Sequence, residues 1–136
     1  MLVDGEPYRT IWTEPDDPGA VRVIDQRRLP FAFEILRVDD VSTMVWAIAD
    51  MAVRGAPLIG AAAAHGMALA ADECFTVDAA AAQRRLALAA DQLRASRPTA
   101  VNLSWAVDRV AAACVGLDGS ALSGAAWAEA AAIADE

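Results

Sequence analysis

Two arginines stand at predicted helix starts, and their chemistry is the most informative feature of the chain. In Val53-Arg54-Gly55-Ala56-Pro57 the pattern predicts that one helix ends, the backbone turns at Gly55, and another helix begins at Pro57. A helix start presents unpaired N–H groups and a partial positive charge, so it favours an anion. Arg54 can add a bidentate guanidinium contact to a phosphate, and Gly55 lets the backbone approach it. In Ser96-Arg97-Pro98-Thr99-Ala100-Val101-Asn102 a second arginine again precedes a helix, with Thr99 as the expected cap of its first turn. Taken singly, each segment also fits an ordinary capped turn with a solvated arginine, which is the commoner case.

Other candidates are weaker. His65 is the one histidine, so no His-pair metal motif is available and no metal site is expected. It lies among alanines and glycines, which suits a satisfied core or interface histidine more than one hydrogen-bonded to a sugar hydroxyl. Cys74 and Cys114 have no metal-ligand or disulfide spacing and are expected to pack as small apolar residues. Neither is expected to be a nucleophile. Glu14, Asp16 and Asp17 lack calcium-loop spacing and are expected in a solvated turn. Trp12, Trp46, Trp105 and Trp127 are expected in the core.

The elements that must position these residues follow from composition and periodicity. A chain of 136 residues, 57% hydrophobic, is long enough for one core. Its net charge of −8 argues against general nucleic-acid binding. The polar start and the lack of a long apolar run argue against a signal peptide and a membrane span, so a soluble, cytoplasmic protein is expected. Three strands are predicted, over Tyr8 to Thr13, Ala20 to Asp25 and Phe31 to Val38, with a turn at Glu14 to Gly19. They form a small antiparallel meander, residues 1–38. From Asp39 the apolar spacing is helical. Helices are predicted after a cap at Asp39, Asp40 or Ser42, over Pro57 to Asp72, after Asp78, from about Val101 to Val115, and from near Ser123. The third should bury Leu86 and Leu93 and turn Gln83, Arg84, Arg85 and Asp91 outward. No internal repeat is evident. The fold class is α+β, a β-meander followed by a helical bundle over residues 39–136.

Three blocks carry a family resemblance. Ile24-Asp25-Gln26-Arg27-Arg28-Leu29-Pro30, then Val53-Arg54-Gly55-Ala56-Pro57 with Ile59-Gly60-Ala61-Ala62-Ala63, then Arg97-Pro98-Thr99-Ala100-Val101-Asn102-Leu103 with Trp105-Ala106 resemble, in order and spacing, the start of the methylthioribose-1-phosphate isomerases. The resemblance implies the N-terminal domain of a larger two-domain α/β isomerase of methionine salvage. That enzyme converts 5-methylthioribose 1-phosphate to 5-methylthioribulose 1-phosphate without a cofactor, as a homodimer. It implies that Arg54, Gly55, Ala56 and Arg97 bind substrate. It also implies that the catalytic cysteine and aspartate belong to a Rossmann-like C-terminal domain absent from this chain, which should be inactive alone. His65 and Ser104 stand where an aromatic residue is common in that family. Two alternatives share these segments: an isomerase of ribose 1,5-bisphosphate, and a non-catalytic regulatory subunit of the translation-initiation exchange factor.

Overall fold

A computed structural model describes Leu2, Val3, Glu6 and Pro7 as backbone, and residues 9–27, 29 and 31–136 with their side chains. A two-stranded ribbon comes first, β1 (Leu2–Val3) against β2 (Glu6–Pro7). A three-stranded antiparallel sheet follows, in the order β3 (Ile11–Glu14), β4 (Asp17–Ile24), β5 (Ile35–Val38). Ile11 faces Val23, and Val21 faces Val38. Ile11, Val21, Val23 and Val38 bury one face of the sheet in the main core. The predicted meander is therefore present, with different bounds. The first strand is shifted towards Glu14, and Tyr8 lies outside the described residues. Its turn narrows to Pro15 and Asp16, because Asp17, Pro18 and Gly19 continue as strand through a break in register between Trp12 and Glu14. Proline is tolerated there because an irregular ladder does not need its missing N–H. The third strand keeps only its last four residues. Phe31 is 97% exposed, so the alternation that suggested an earlier start has nothing to pack against.

Five helices complete the chain: α1 (Val41–Ala49), α2 (Ala56–Glu73), α3 (Ala79–Ser96), α4 (Val101–Ala113) and α5 (Gly119–Asp135). Asp40 caps α1 by accepting the Thr43 N–H at 2.8 Å, and its carboxyl pKa is lowered by the Thr43 side chain first and by this backbone bond second. Asp78 caps α3 in the same way through the Ala81 N–H. The last helix begins at Gly119, a turn before the expected Ser123. Helix α2 is the centre of the bundle. Every residue from Leu58 to Ala71 is buried, and the helix touches all four other helices as well as β3 and β4. Small side chains make this possible. A Cβ on Gly66 would lie 2.9 Å from Leu93 Cδ2 and 3.3 Å from Met44 Cγ, so α1 and α3 both close on that point.

The two helix-to-helix turns at the far end of the bundle are built alike. Cys74 and Cys114 follow α2 and α4 as buried C-caps, and each carbonyl accepts the N–H of the residue three on, Val77 or Leu117. Asp78 and Asp118 then start α3 and α5. Gln83, expected to face outward, instead donates to the Cys114 and Leu117 carbonyls and ties α3 to the second turn. Burial pushes both thiols above their ordinary pKa, which suits inert packing groups.

Candidate functional site

The arginine-bearing segments meet because α2 and α4 run side by side from neighbouring starts. A Cβ on Gly60 would stand 3.2 Å from the Asn102 carbonyl oxygen, so the first turn of α4 lies directly on the second turn of α2. Arg54, Gly55 and Ala56 thus share one end of the bundle with Arg97 and Ala100. Gly55 is the N-cap of α2, with φ +96, in the left-handed region that a side chain strains to reach. Ala56 and Pro57 open the helix, and no side chain caps it. Ala100 is the N-cap of α4, also without a side-chain cap. The expected bond from Thr99 is therefore not made; the cap falls one residue later, on a side chain with no acceptor. Two adjacent helix starts keep N–H donors free of side-chain partners, whereas α1 and α3 satisfy theirs with aspartates.

The two arginines differ. Arg54 is exposed. Arg97 is half-buried, and its Nη1 is shielded from solvent without an acceptor among the described residues. A guanidinium N–H withdrawn from water and left unpaired is costly, and an anion at the helix start would satisfy it.

The first sequence block holds the loop that carries Arg54. Asp25 is buried, at 1% exposure, and accepts from the Arg27 backbone N–H at 3.1 Å, its Nε at 3.0 Å and its Nη2 at 2.8 Å. Arg27 also pairs with Asp50 and stacks 4.8 Å over the Trp46 ring. The Gln26 N–H donates to the Ala52 carbonyl at 2.9 Å. The strand-end turn is thereby fastened to the α1–α2 loop, where Met51 takes the strained φ of +64 and Val53 is fully buried. This brace was not read from the sequence; the signal was an Asp and an Arg two residues apart in the first block. Trp46 and Trp105 are also not core residues. They are 45% and 48% exposed and serve as stacking faces for Arg27 and Arg109.

A concavity of about 890 Å³ lies elsewhere, on the outer sheet face among Arg9, Trp12, Glu14 and Arg22. Its charges already answer one another: Arg22 pairs with Asp17 and Glu14, and Arg9 with Asp135. Among the described residues there is no cluster of three metal-ligating side chains, and no helix is long and apolar enough to cross a membrane.

Residues 52–134 match the initiation factor 2 subunit family, and the chain belongs to that family. Its relatives include enzymes. It is 51% identical over all 136 residues to the methylthioribose-1-phosphate isomerase of Methylorubrum extorquens, spanning 35% of that protein. Two crystal structures share the fold at 35% identity. The 5-methylthioribose 1-phosphate isomerase of Pyrococcus horikoshii superposes with a TM-score of 0.85 over 93% of this chain and 36% of its own. The translation initiation factor eIF-2B subunit delta of A. fulgidus gives 0.86 over 95% and 37%. The chain spans about a third of the length of the isomerases it matches. The expected α+β fold, a sheet followed by helices, is the fold of these relatives' matching part.

Proposed function

We propose that the protein is an aldose–ketose isomerase converting 5-methylthioribose 1-phosphate to 5-methylthioribulose 1-phosphate in methionine salvage, and that this chain supplies the phosphate-holding part of its site. Arg54, Gly55, Ala56 and Arg97 bind the substrate. The observation that carries the assignment is the orphaned Arg97 Nη1 beside two uncapped helix starts. A sugar 1-phosphate cannot open its ring as a free sugar does, since phosphate blocks the anomeric oxygen. Fixing that phosphate with charge-assisted donors offsets its desolvation and holds the adjoining carbons in register with the reacting groups.

Those reacting groups, a cysteine and an aspartate, belong in this proposal to a Rossmann-like domain outside these residues, and the chain alone does not turn over substrate. Residues 1–38 and 39–136 act together as one substrate-binding unit. Support comes from the surface next to the site, where Val101 is 80% and Met51 44% exposed, as suits a face covered by further protein. The same likeness supports a cytoplasmic homodimer.

The experiment is a turnover assay of the product of the complete gene with 5-methylthioribose 1-phosphate and, separately, ribose 1,5-bisphosphate. Preferred use of the first is expected. Preference for the bisphosphate would replace the substrate. No turnover of either by a folded protein would favour a regulatory subunit, to which the eIF-2B likeness also points. Arg97→Ala should raise KM about tenfold or more with a smaller change in kcat, the sign of a lost binding contact.

A further inference from the structure

A second cavity, of about 500 Å³, opens between the β3–β4 hairpin, α2 and α5, and it holds neither Arg54 nor Arg97. Its lining includes Thr13, Gly19, His65, Asp72, Ser123 and Trp127. His65 is 5% exposed. Its Nδ1 lies 2.8 Å from the Ala61 carbonyl, which can only accept, so Nδ1 carries the proton and the neutral ring presents a lone pair at Nε2. No described residue donates to that lone pair. Burial lowers the His65 pKa, although the Ala61 bond opposes this, and so favours the neutral acceptor form. Arg9 and Asp135, paired with each other nearby, act on it with opposite signs.

Asp72 is the second polar group. It accepts from Ser123 Oγ at 2.6 Å and from Trp127 Nε1 at 3.1 Å. Both donors are neutral, and no described cation pairs with this carboxylate. The Trp127 ring stands edge-on to His65, with centroids 6.1 Å apart. The cavity thus offers one negative charge without a described counter-charge, one nitrogen lone pair and an indole wall, with no cationic side chain among the described residues of its lining.

We propose that this cavity binds a primary ammonium group carried on a short apolar stem. Asp72 takes its charge, His65 Nε2 accepts one of its N–H bonds, and Trp127 and Ala131 line the stem. An anion would meet Asp72 with nothing to offset the repulsion. A bare metal ion would find one carboxylate and one imidazole, fewer ligands than a stable site needs. An ammonium group uses both acceptors and gains from an aromatic wall.

The test is an NMR titration of the purified chain with n-butylammonium, read at the Trp127 Nε1–H and the His65 ring protons. Both signals should move saturably. Butyrate and sodium chloride at equal ionic strength should leave them in place. Asp72→Asn keeps an oxygen to accept from Ser123 and Trp127 but removes the charge, and it should weaken binding about tenfold or more. Ser123→Ala keeps the charge and should keep binding. His65→Phe, which removes the acceptor and keeps an aromatic ring against Trp127, provides a second variant should Asp72→Asn melt abnormally. Side-by-side titration with a blocked lysine derivative distinguishes a protein's lysine from a free amine as the source, by which binds tighter. The proposal is overturned by no saturable shift in the folded chain, by equal shifts with sodium chloride, or by undiminished binding when the Asp72 charge or the His65 acceptor is removed.

Discussion

At the scale of single residues, two placements of charged or titratable groups matter most, pairing and withdrawal from water. Asp25 and Arg27 are paired, and their pairing serves Arg54 at one remove. Arg27 contacts Asp25 and Asp50 together, so Arg27→Met leaves a buried carboxylate short of its partner while keeping some packing on Trp46. It should lower the melting temperature of the chain and, in the complete protein, raise KM by loosening the loop ahead of Arg54. An unchanged melt would show that the brace is dispensable. His65 is withheld from water. Its pKa is depressed when folded, so below its ordinary value of 6.5 the unfolded chain takes up a proton that the folded chain refuses. Stability attributable to His65 is therefore full above 6.5 and falls as pH drops through that value towards the depressed folded pKa. Replacing His65 with Phe should flatten the melting temperature across that window. A wild-type slope retained in the variant would mean that other groups carry it.

At the scale of elements, the decisive contact is the crossing of α2 on α4. The atom that a Gly60 methyl would meet is a backbone carbonyl oxygen at 3.2 Å, which cannot rotate away as a side chain can. Gly60→Ala should therefore destabilise the fold by about 1–3 kcal/mol despite alanine's better helix propensity. It should also weaken phosphate binding in the complete protein, because it pushes the two helix starts apart. Chemical denaturation of both proteins measures the first effect. Gly55→Ala tests a different cause. Nothing lies within 4 Å of the added carbon, so its cost, about 1–2 kcal/mol, comes from the φ of +96 alone.

Much of this level was legible in the sequence. The caps at Asp40, one of three candidate residues, and at Asp78, and the all-round burial of α2 follow from short polar side chains and a run of alanines. Gly55, by contrast, starts α2 and does not stop α1, which already ends at Ala49. What failed was whatever depended on distant partners. Phe31 and Phe33 look like strand residues until the sheet is seen to end at Ile35. Gln83 looks like a surface residue until the Cys114 turn folds back onto it. Thr99 looks like a cap until the helix starts two residues later. Of the candidate site, the two arginines ahead of helix starts were legible, but not that α2 and α4 bring those starts together. The orphaned Arg97 donor was not, since it depends on the burial of one atom.

At the scale of the whole molecule, α2 decides how the structure comes apart. Each other helix buries its own stripe against α2, and the sheet rests on it through β3 and β4. Removing any one neighbour exposes alanine and glycine faces that offer little apolar surface of their own and rely on close packing on every side. A partly unfolded state that keeps α2 intact therefore loses contacts without recovering any. The amides from Ala61 to Ala71 should then exchange with solvent only through global opening, at the free energy obtained from denaturant melts. The inner amides of α3 and α4 should share that value. Native-state hydrogen exchange at increasing denaturant measures these energies residue by residue. Helix α5 gives the sharpest comparison, because it is held by Leu122, Ala126, Ala130 and Ile133 on one face and by the Arg109–Glu129 pair at its edge. If its amides open well below the global energy while α2 stays protected, α5 is a separate unit and α2 does not bind the whole together. Equal energies in α2, α3, α4 and α5 would make the bundle a single cooperative unit.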